Sequence, residues 1–316
     1  MFDARHTWFL VGATAVGKTA VGLELARLLD AEIVSLDSMA VYRGLDIGTA
    51  KPTPAERNAV RHHLVDILEP AQPFSLAEYV AAARQVCAEI EGRARQALFV
   101  GGTPLYLKAM LRGIFEGPRA DLARRQALES QARQQGGHWL HEQLASVDPV
   151  AAARLHPNDT RRLVRALEVY EKTGRPISEW QSAKGGFDLG GPAELHNVFV
   201  LDRPRSELVE RIDRRVEAMF AAGLVGEVSG LLARGGVLGR TARQALGYRE
   251  VLEHLSGERG LEETIELVKL RTRQFARRQL TWFRSLSECR WLPIEGQIDP
   301  ADVARRIAAR EKEGGS

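Results

Sequence analysis

The stretch Gly12-Ala13-Thr14-Ala15-Val16-Gly17-Lys18-Thr19 decides the fold of this chain. It follows an apolar run at residues 8–11 and precedes a segment of helical periodicity at residues 20–29. The spacing G-x-x-x-x-G-K-T allows a tight turn in which successive backbone N–H groups and the start of the next helix converge on a diphosphate. We therefore predict that these eight residues bind a diphosphate, although the loop alone does not say whether it belongs to a nucleotide.

Two side chains of this loop have predicted roles of their own. Lys18 carries a point charge that can reach the outer phosphate, and the Thr19 hydroxyl is placed to ligate the Mg²⁺ that such a phosphate carries. A chance glycine-rich turn is the alternative interpretation. Agreement of the strand, loop and helix patterns around the loop favours phosphate binding.

Length and composition set broad limits. A chain of 316 residues exceeds what one hydrophobic core usually serves, so we expect one large domain with an insertion or a small second domain. No run approaches the ~20 apolar residues of a membrane span, and the first six residues lack the apolar segment of a signal peptide, which predicts a cytoplasmic protein. Cys87 and Cys289 form no C-x-x-C pair, so neither a disulfide framework nor a zinc site is expected. The net charge of +3 permits an anionic partner without requiring one.

The alternation of apolar runs and helical periods predicts an α/β fold. Continuous apolar strands separated by helices are typical of a parallel sheet covered on both faces, here a P-loop NTPase-like sheet flanked by helices. The strand candidates are residues 8–11, 31–36, 97–100, 196–201 and 290–293. The strand pattern is lost in the middle of the chain, which predicts an α/β core at residues 1–118 and 195–316 with an inserted all-helical domain at residues 119–194.

One helix of the insertion can be placed in detail. Several N-cap candidates occur at residues 157–160, and Gly174 is expected to end the helix. Its apolar stripe, at positions i, i+3, i+4 and i+7, consists of Leu163, Ala166, Leu167 and Tyr170. Three arginines, Arg161, Arg162 and Arg165, fall on another arc, where we predict an outward basic face. A merely solvated face is the alternative, since charge clusters on exposed helices are common.

Two polar positions follow apolar strands. Asp37 comes at the carboxyl end of the second strand, the edge at which open parallel sheets bind ligands, and could serve as a Mg²⁺ carboxylate, a general base or a helix cap. After the third strand, Gly101-Gly102 permits close backbone approach, and the Thr103 hydroxyl can donate to a phosphate oxygen; a capped helix start explains Thr103-Pro104 equally well. His62 and Asp66 are four apart, but a metal site needs three or four convergent ligands, so we do not predict one there.

The segment 269–284 near the C-terminus is the most basic part of the chain. It has helical periodicity and contains six basic residues and no acidic ones, namely Lys269, Arg271, Arg273, Arg277, Arg278 and Arg284. Such a run predicts a nearby anion, and its interleaved aromatic residues Phe275 and Trp282 suit a phosphate backbone with unstacked bases. The alternative is that the aromatic residues anchor the core while the arginines are solvated.

Taken together, these motifs resemble the bacterial tRNA dimethylallyltransferase family, also called tRNA isopentenyltransferases. The resemblance covers nearly the whole chain, in family order: GATAVGKT, DSMAVYRGLDIGTAKP, GGTPLY, DPVAAARLHPNDTRRLVRALE, QALGYR and RRQLTWFR. It implies transfer of a dimethylallyl group from dimethylallyl diphosphate to the exocyclic N6 of the adenosine immediately 3′ of the tRNA anticodon. Diphosphate is released and Mg²⁺ is the implied cofactor.

The resemblance also assigns roles by position. It implies that residues 14–19 hold the diphosphate, that Asp37 accepts the proton of the attacking amine, and that Thr103 and Arg125 steady the leaving group. Four segments match tRNA-contacting parts of the family, and some relatives carry an arginine in place of Gln244. These segments are Asp37, Ser38, Met39, Ala40; Arg161, Arg162, Leu163, Val164, Arg165; Gln244, Ala245, Leu246, Gly247, Tyr248, Arg249; and Arg277, Arg278, Gln279, Leu280, Thr281, Trp282, Phe283, Arg284.

Other functions are compatible with parts of the sequence. A P-loop nucleotide kinase or NTPase would use the same loop, and an adenylate isopentenyltransferase would use the same donor on a free nucleotide. The inserted domain and the basic terminal helix argue against a mononucleotide acceptor, and an inactive RNA-binding module would not need Lys18 and Thr19 after a strand. We therefore expect a monomer whose partners are dimethylallyl diphosphate and the anticodon stem-loop of tRNA, with no membrane.

Overall fold

The structure, a computed structural model, describes residues 7–114, 117–136, 138–182, 197–233 and 238–313. The chain divides into two compact units, Met1–Leu107 with Gly191–Ser316, and Lys108–Gly190. The smaller unit starts before the predicted insertion, because it takes in the second half of a helix at Pro104–Arg112. The predicted end of the insertion, at residue 194, lies outside the described residues.

The larger unit is built on a parallel sheet of six strands, in the order β3-β2-β4-β1-β5-β6. The strands are β1 Thr7–Gly12, β2 Ala31–Leu36, β3 His62–His63, β4 Gln96–Gly101, β5 Asn197–Asp202 and β6 Arg290–Pro293. The predicted parallel α/β sheet is confirmed, and all five strand candidates coincide with strands. Strand β3 was not predicted, because two histidines give no apolar run.

Helices cover both faces of this sheet or form the smaller unit. In chain order they are α1 Lys18–Leu28, α2 Pro54–Ala59, α3 Leu76–Glu91, α4 Pro104–Arg112, α5 Leu122–Gln135, α6 Trp139–Val147, α7 Pro149–Ala152, α8 Thr160–Thr173, α9 Ile177–Ser182, α10 Arg205–Ala221, α11 Leu224–Ala233, α12 Arg240–Arg243, α13 Tyr248–Leu255, α14 Leu261–Arg284 and α15 Pro300–Glu313. Because β1 and β2 are buried along their whole length, their sequences are nearly continuous apolar runs. Phe9 of β1 stacks on Phe99 of β4 with ring centroids 4.9 Å apart.

The strand register decides where the polar loops lie. Leu36 is paired with Gly101, and Gly12 with Leu201, so β1, β2, β4 and β5 end level with one another. The phosphate loop, Asp37 and the Gly101-Gly102 turn therefore emerge at one edge of the sheet, as the carboxyl ends of parallel strands must.

The smaller unit has a helical core of its own. Helix α8 begins after Asp159, whose carboxylate accepts from the Arg162 N–H at 3.3 Å, and ends at Gly174 in the left-handed conformation with φ of 68°. Both predicted ends are thus confirmed. Three of the four residues of the apolar stripe, Leu163, Ala166 and Leu167, are buried against α5, α6, α7 and α9.

Across the described residues, no single helix is long and apolar enough to cross a membrane. Within these residues only one pair of successive helices, Arg205–Ala221 and Leu224–Ala233, reaches a sufficient length and apolar composition when taken together, and the two are bent by 50° relative to each other.

Candidate active site

The phosphate loop joins β1 to α1 through two glycines that no other residue could replace without strain. A Cβ on Gly12 would lie 2.8 Å from the Leu201 carbonyl oxygen, because β5 passes directly beside the loop. Gly17 has φ of 116° at the N-cap of α1, a conformation that favours glycine. The first N–H groups of α1 have no partner within the helix, so they can bind an anion at this end.

Lys18 lies on this loop with its ammonium turned back onto the backbone. Its Nζ donates to the carbonyl oxygens of Gly12 at 3.1 Å and Ala13 at 2.7 Å. Desolvation and, to a smaller extent, the positive charge of Arg215 together lower the pKa of Lys18 to about 7, whereas Asp37 opposes the shift. An ammonium has three N–H donors, so one remains for a phosphate oxygen.

Asp37 begins the loop after β2, with its carboxylate held by that loop. Its Oδ1 accepts from the N–H groups of Met39 at 2.8 Å and Ala40 at 3.4 Å. No helix begins directly after Asp37, so the helix-cap interpretation was wrong; the carboxylate instead holds a turn, which occupies one oxygen. Among the described residues Oδ2 has no hydrogen-bond partner, and Asp37 lines the cavity described below.

Thr103 connects the loops that follow β2 and β4. Its N–H donates to the Leu36 carbonyl oxygen at 3.1 Å, and its Oγ1 accepts from the Ser38 N–H at 3.3 Å. Its own carbonyl starts helix α4 by accepting from Tyr106 at 3.1 Å. The interpretation of Thr103-Pro104 as a helix start is therefore confirmed. Donation of the Thr103 hydroxyl hydrogen to a phosphate oxygen stays a prediction.

Three arginines of α10 line the same region and were missed by the sequence analysis. Arg211 Nε donates to the Ala15 carbonyl oxygen at 2.8 Å, which attaches α10 to the phosphate loop. Arg215 is partly buried, and desolvation lowers its pKa, an effect that the charge of Asp37 opposes. Arg211, Arg214 and Arg215 have the spacing i, i+3, i+4, which places all three on one helix face. That spacing was the available clue, but such clusters are usually solvated.

These groups surround one cavity of about 830 Å³ in the larger unit. Its walls come from the phosphate loop, the loops after β2 and β4, and helices α10 and α14. The polar and charged residues among its lining are Thr14, Lys18, Thr19, Ser35, Asp37, Ser38, Thr49, Lys51, Glu56, His62, Thr103, Arg211, Arg214, Arg215, Gln244, Thr272, Arg278 and Gln279.

The segment 244–249 forms part of this cavity with its first four residues. Gln244, Ala245, Leu246 and Gly247 line it. Tyr248 is buried instead, and its hydroxyl donates to Glu227 at 2.5 Å. Arg249 is exposed and pairs with Glu253 at 2.9 Å. A tRNA contact predicted for the Tyr248 side chain therefore conflicts with its burial.

The sequence predicted an anion near the whole basic run of α14, but half of this run is already paired within the protein. Acidic residues, some from other helices, already neutralise half of the six: Lys269 pairs with Glu217 and Glu266, Arg271 with Glu250, and Arg273 with Asp213. Arg284 lies over the Trp291 ring at 5.5 Å. Arg277 and Arg278 are exposed, with no ion-pair partner in the described part of the chain.

The other α14 residues fall into buried and accessible groups. Phe275 is 38 % exposed and lines the cavity, so the interpretation of Phe275 as a core anchor was wrong. Phe283 and Gln279 are buried, which conflicts with direct tRNA contact by these two side chains in this structure. Thr281 is exposed, and Leu280 and Trp282 are partly buried.

In the smaller unit, the predicted basic face is incomplete. Arg161 and Arg162 are exposed, but Arg165 donates to Glu168 at 2.5 Å and to the Pro118 carbonyl oxygen at 3.0 Å. The fully buried Glu168 also binds Arg125 through both carboxylate oxygens, at 3.1 and 2.8 Å. Leu163 and Val164 are buried core residues, so their side chains contribute packing.

The fold and the cavity define a P-loop α/β protein with a basic site at the carboxyl edge of its sheet. Comparison with known proteins narrows this class. A family model described as IPP transferase matches residues 40–286, and one described as isopentenyl transferase matches residues 5–69. The chain belongs to the IPP transferase family.

Curated relatives and solved structures agree with this assignment. A tRNA dimethylallyltransferase of Roseiflexus castenholzii is 49 % identical over 303 residues, covering 95 % of both chains, and tRNA dimethylallyltransferase 1 of Trichlorobacter lovleyi is 47 % identical, covering 90 % of this chain and 92 % of the relative. The full-length tRNA isopentenylpyrophosphate transferase of Bacillus halodurans superposes with a TM-score of 0.70 at 38 % identity, covering 98 % of both chains. A eukaryotic dimethylallyltransferase acting on tRNA gives a TM-score of 0.77 at 26 % identity, covering 97 % of this chain and 79 % of the other.

Proposed function

We propose that this protein transfers a dimethylallyl group from dimethylallyl diphosphate to the exocyclic N6 of the adenosine immediately 3′ of the anticodon in tRNA. It acts as a cytoplasmic monomer and releases diphosphate. The observation that carries the proposal is the convergence of Lys18, Asp37 and Thr103 on one cavity in a chain of the IPP transferase family. A diphosphate site and a carboxylate base in one cavity are what alkyl transfer from a diphosphate ester requires.

The chemistry demands strong activation of the donor. The N6 lone pair is delocalised into the purine ring, so the amine is a poor nucleophile and the allylic C–O bond must be weakened. Negative charge develops on the leaving diphosphate, where the remaining N–H of Lys18 and the free amides at the start of α1 can donate to its oxygens. Each such preorganised donor is typically worth about 3 kcal/mol in the transition state.

The arginines of α10 would add to this stabilisation. Arg211 is attached to the phosphate loop at Ala15, and its remaining N–H groups are available to phosphate oxygens. Arg215 lies close enough to Lys18 to lower its pKa, so two cations share a small volume. Like charges are forced together at a cost, and a bound diphosphate relieves their repulsion. This favours a multiply charged anion over a neutral ligand.

A residue suited to Mg²⁺ is present as well. Thr19 lines the cavity and offers one hydroxyl oxygen. This fits Mg²⁺, which usually takes one or two protein ligands and is otherwise held by phosphate oxygens and water. When bound, the ion would neutralise charge on the diphosphate. Thr19 is the residue that we assign to it.

Asp37 is the general base of the proposed reaction. As N6 forms its bond to the allylic carbon, the carbon–oxygen bond to diphosphate breaks and the amine becomes cationic. Its proton passes to a carboxylate oxygen of Asp37, while Oδ1 stays fixed by the amides of Met39 and Ala40. Thr103, bonded to Ser38, supports the same loop and can donate its hydroxyl hydrogen to the leaving group.

The acceptor is proposed to be the anticodon stem-loop of tRNA. Arg277 and Arg278 are exposed cations on α14, and Arg278 together with Phe275 reaches the cavity rim. Guanidinium and aromatic planes suit an unstacked base, and a loop nucleotide costs less to extrude than one in a duplex. We further propose that the exposed Arg161 and Arg162 of the smaller unit contact the phosphate backbone of tRNA.

Incubation with labelled dimethylallyl diphosphate, Mg²⁺ and bulk tRNA tests the proposal. The label should appear on one adenosine next to the anticodon, and AMP should not be labelled. Hydrolysis of ATP without transfer of label to tRNA would instead identify a P-loop kinase or NTPase. Labelling of AMP would identify an adenylate isopentenyltransferase.

A further inference from the structure

Gln279 lines the cavity, but both ends of its side-chain amide are bonded to loops of the protein itself. It lies in the C-terminal part of α14, directly after the exposed pair Arg277 and Arg278, and is only 4 % exposed. Its Oε1 accepts from the Thr14 N–H of the phosphate loop at 2.9 Å. Its Nε2 donates to the Gly102 carbonyl oxygen at 2.6 Å.

The two partners fix the orientation of this amide. Thr14 N–H can only donate and the Gly102 carbonyl can only accept, so neither bond survives a flip of the amide. The contact is also tight, because a Cβ on Gly102 would lie 2.5 Å from Gln279 Nε2 and 3.3 Å from the Gly12 carbonyl oxygen. A side chain at Gly102 would therefore displace the Gln279 amide from this position.

The hydrogen bonds continue from Gln279 to the proposed base. Gly102 is followed by Thr103, whose Oγ1 accepts from Ser38 N–H, and Ser38 is followed by the Met39 amide that holds Asp37. One continuous path thus runs from the phosphate loop through Gln279 to the Asp37 carboxylate. Gln279 is the point where helix α14 contacts both the phosphate loop and the loop after β4.

We propose that Gln279 is a positioning residue that sets the distance between the diphosphate-binding loop and the Asp37 base. The inference rests on the proposed function and deepens it. Alkyl transfer needs the leaving group and the amine on opposite sides of one carbon, so the two loops must keep a fixed separation. A misplacement of about 1 Å can cost on the order of a hundredfold in rate. The same amide ties these loops to the helix that carries the proposed tRNA contacts.

Two substitutions of similar size separate the two bonds. Gln279→Glu keeps the acceptor for Thr14 but places an oxygen against the Gly102 carbonyl, and Gln279→Met removes both bonds. We expect the single-turnover rate with both substrates saturating to fall by about tenfold to a hundredfold in each variant. The dissociation constant for tRNA should stay within about threefold, because Arg277 and Arg278 remain exposed.

Thr264→Val is the matched control. Thr264 is also buried on α14, and its hydroxyl donates to the Gly260 carbonyl oxygen at 2.8 Å, so the variant loses a buried hydrogen bond without touching either loop. It should lower the unfolding midpoint while leaving the single-turnover rate within about twofold. A similar rate loss in Thr264→Val would overturn the positioning role, since general destabilisation would then explain it.

A readout independent of catalysis separates this inference from the proposed function. Hydrogen–deuterium exchange should rise in the peptides covering residues 12–19 and 101–103 of Gln279→Met, and not in those of Thr264→Val. If the unsubstituted protein failed to label tRNA, the proposed function would fall while this exchange result still decided whether Gln279 holds the loops. Unchanged exchange in both peptides together with an unchanged rate would refute the inference.

Discussion

The lowered pKa of Lys18 makes a quantitative prediction about donor binding. Desolvation, with Arg215 adding to it, brings this pKa to about 7, so the unliganded protein holds a mixture of ammonium and neutral amine near neutrality. A bound diphosphate places negative charge beside Nζ and raises the pKa well above 7. Binding therefore requires protonation of the neutral fraction, and that requirement grows as pH increases.

The direction and size of the effect follow from this shift. The contribution of Lys18 to diphosphate affinity is fully present well below pH 7 and declines as pH rises through 7, because the ligand binds the protonated form. With a free-protein pKa of about 7, raising the pH from about 7.5 to about 8.5 should weaken binding by about eightfold, provided that the bound-state pKa is higher still. Over the same interval, binding should take up an increasing fraction of one proton.

Isothermal titration calorimetry of dimethylallyl diphosphate in buffers of different ionisation enthalpy measures both quantities. Lys18→Met is the control, since any remaining pH dependence then belongs to the ligand or to other groups. A dissociation constant for the unsubstituted protein that changes with pH no more than that of Lys18→Met would refute the reasoning. In that case Lys18 would be fully charged before the ligand arrives.

Three further outcomes test other parts of the structure. Asp37→Ala should abolish transfer while leaving tRNA affinity within about tenfold, and full turnover in a rapid-quench assay would remove it as the base. Arg277→Ala combined with Arg278→Ala should weaken tRNA binding and flatten the plot of log affinity against log salt by about two units; an unchanged slope would mean that neither side chain meets a phosphate. Glu168→Gln should lower the free energy of unfolding by about 2 kcal/mol in urea titrations, because two partly exposed arginines lose a buried counter-charge. The exposed pair of Glu171 offers a control, where Glu171→Gln should cost under about 1 kcal/mol, and equal losses would contradict the assigned role of burial.

The helix α14 shows why charge patterns in sequence are ambiguous. Six basic residues without an acid between them predicted an anion along the whole run, yet three are paired with acidic residues, most of them far away in the chain. Arg273, for example, binds Asp213 on α10, 60 residues before it. Because such partners arrive only by the docking of helices, local sequence cannot separate the paired arginines from Arg277 and Arg278, which remain exposed.

On α10 the sequence analysis made the opposite error, because it missed arginines that line the cavity. Arg211, Arg214 and Arg215 share one helix face, but their spacing alone is equally compatible with a solvated surface. Their importance comes from what that face meets, namely the phosphate loop at Ala15 and the cavity that holds Lys18. Gln279 was likewise expected to contact tRNA because it belongs to the segment 277–284, which resembles a tRNA-contacting part of the family. In the structure its amide is buried between two loops.

The sequence by itself determined the phosphate loop, the parallel sheet, the helical insertion and the family. These features depend on local sequence, because glycine spacing, apolar runs and helix caps act over a few residues and need no distant partner. Only the tertiary structure decided which charges are neutralised and which arginines reach the cavity. It also decided that Gln279 joins the phosphate loop to the loop after β4. Such contacts link residues up to 265 positions apart, and their geometry exists only once the helices have packed on the sheet.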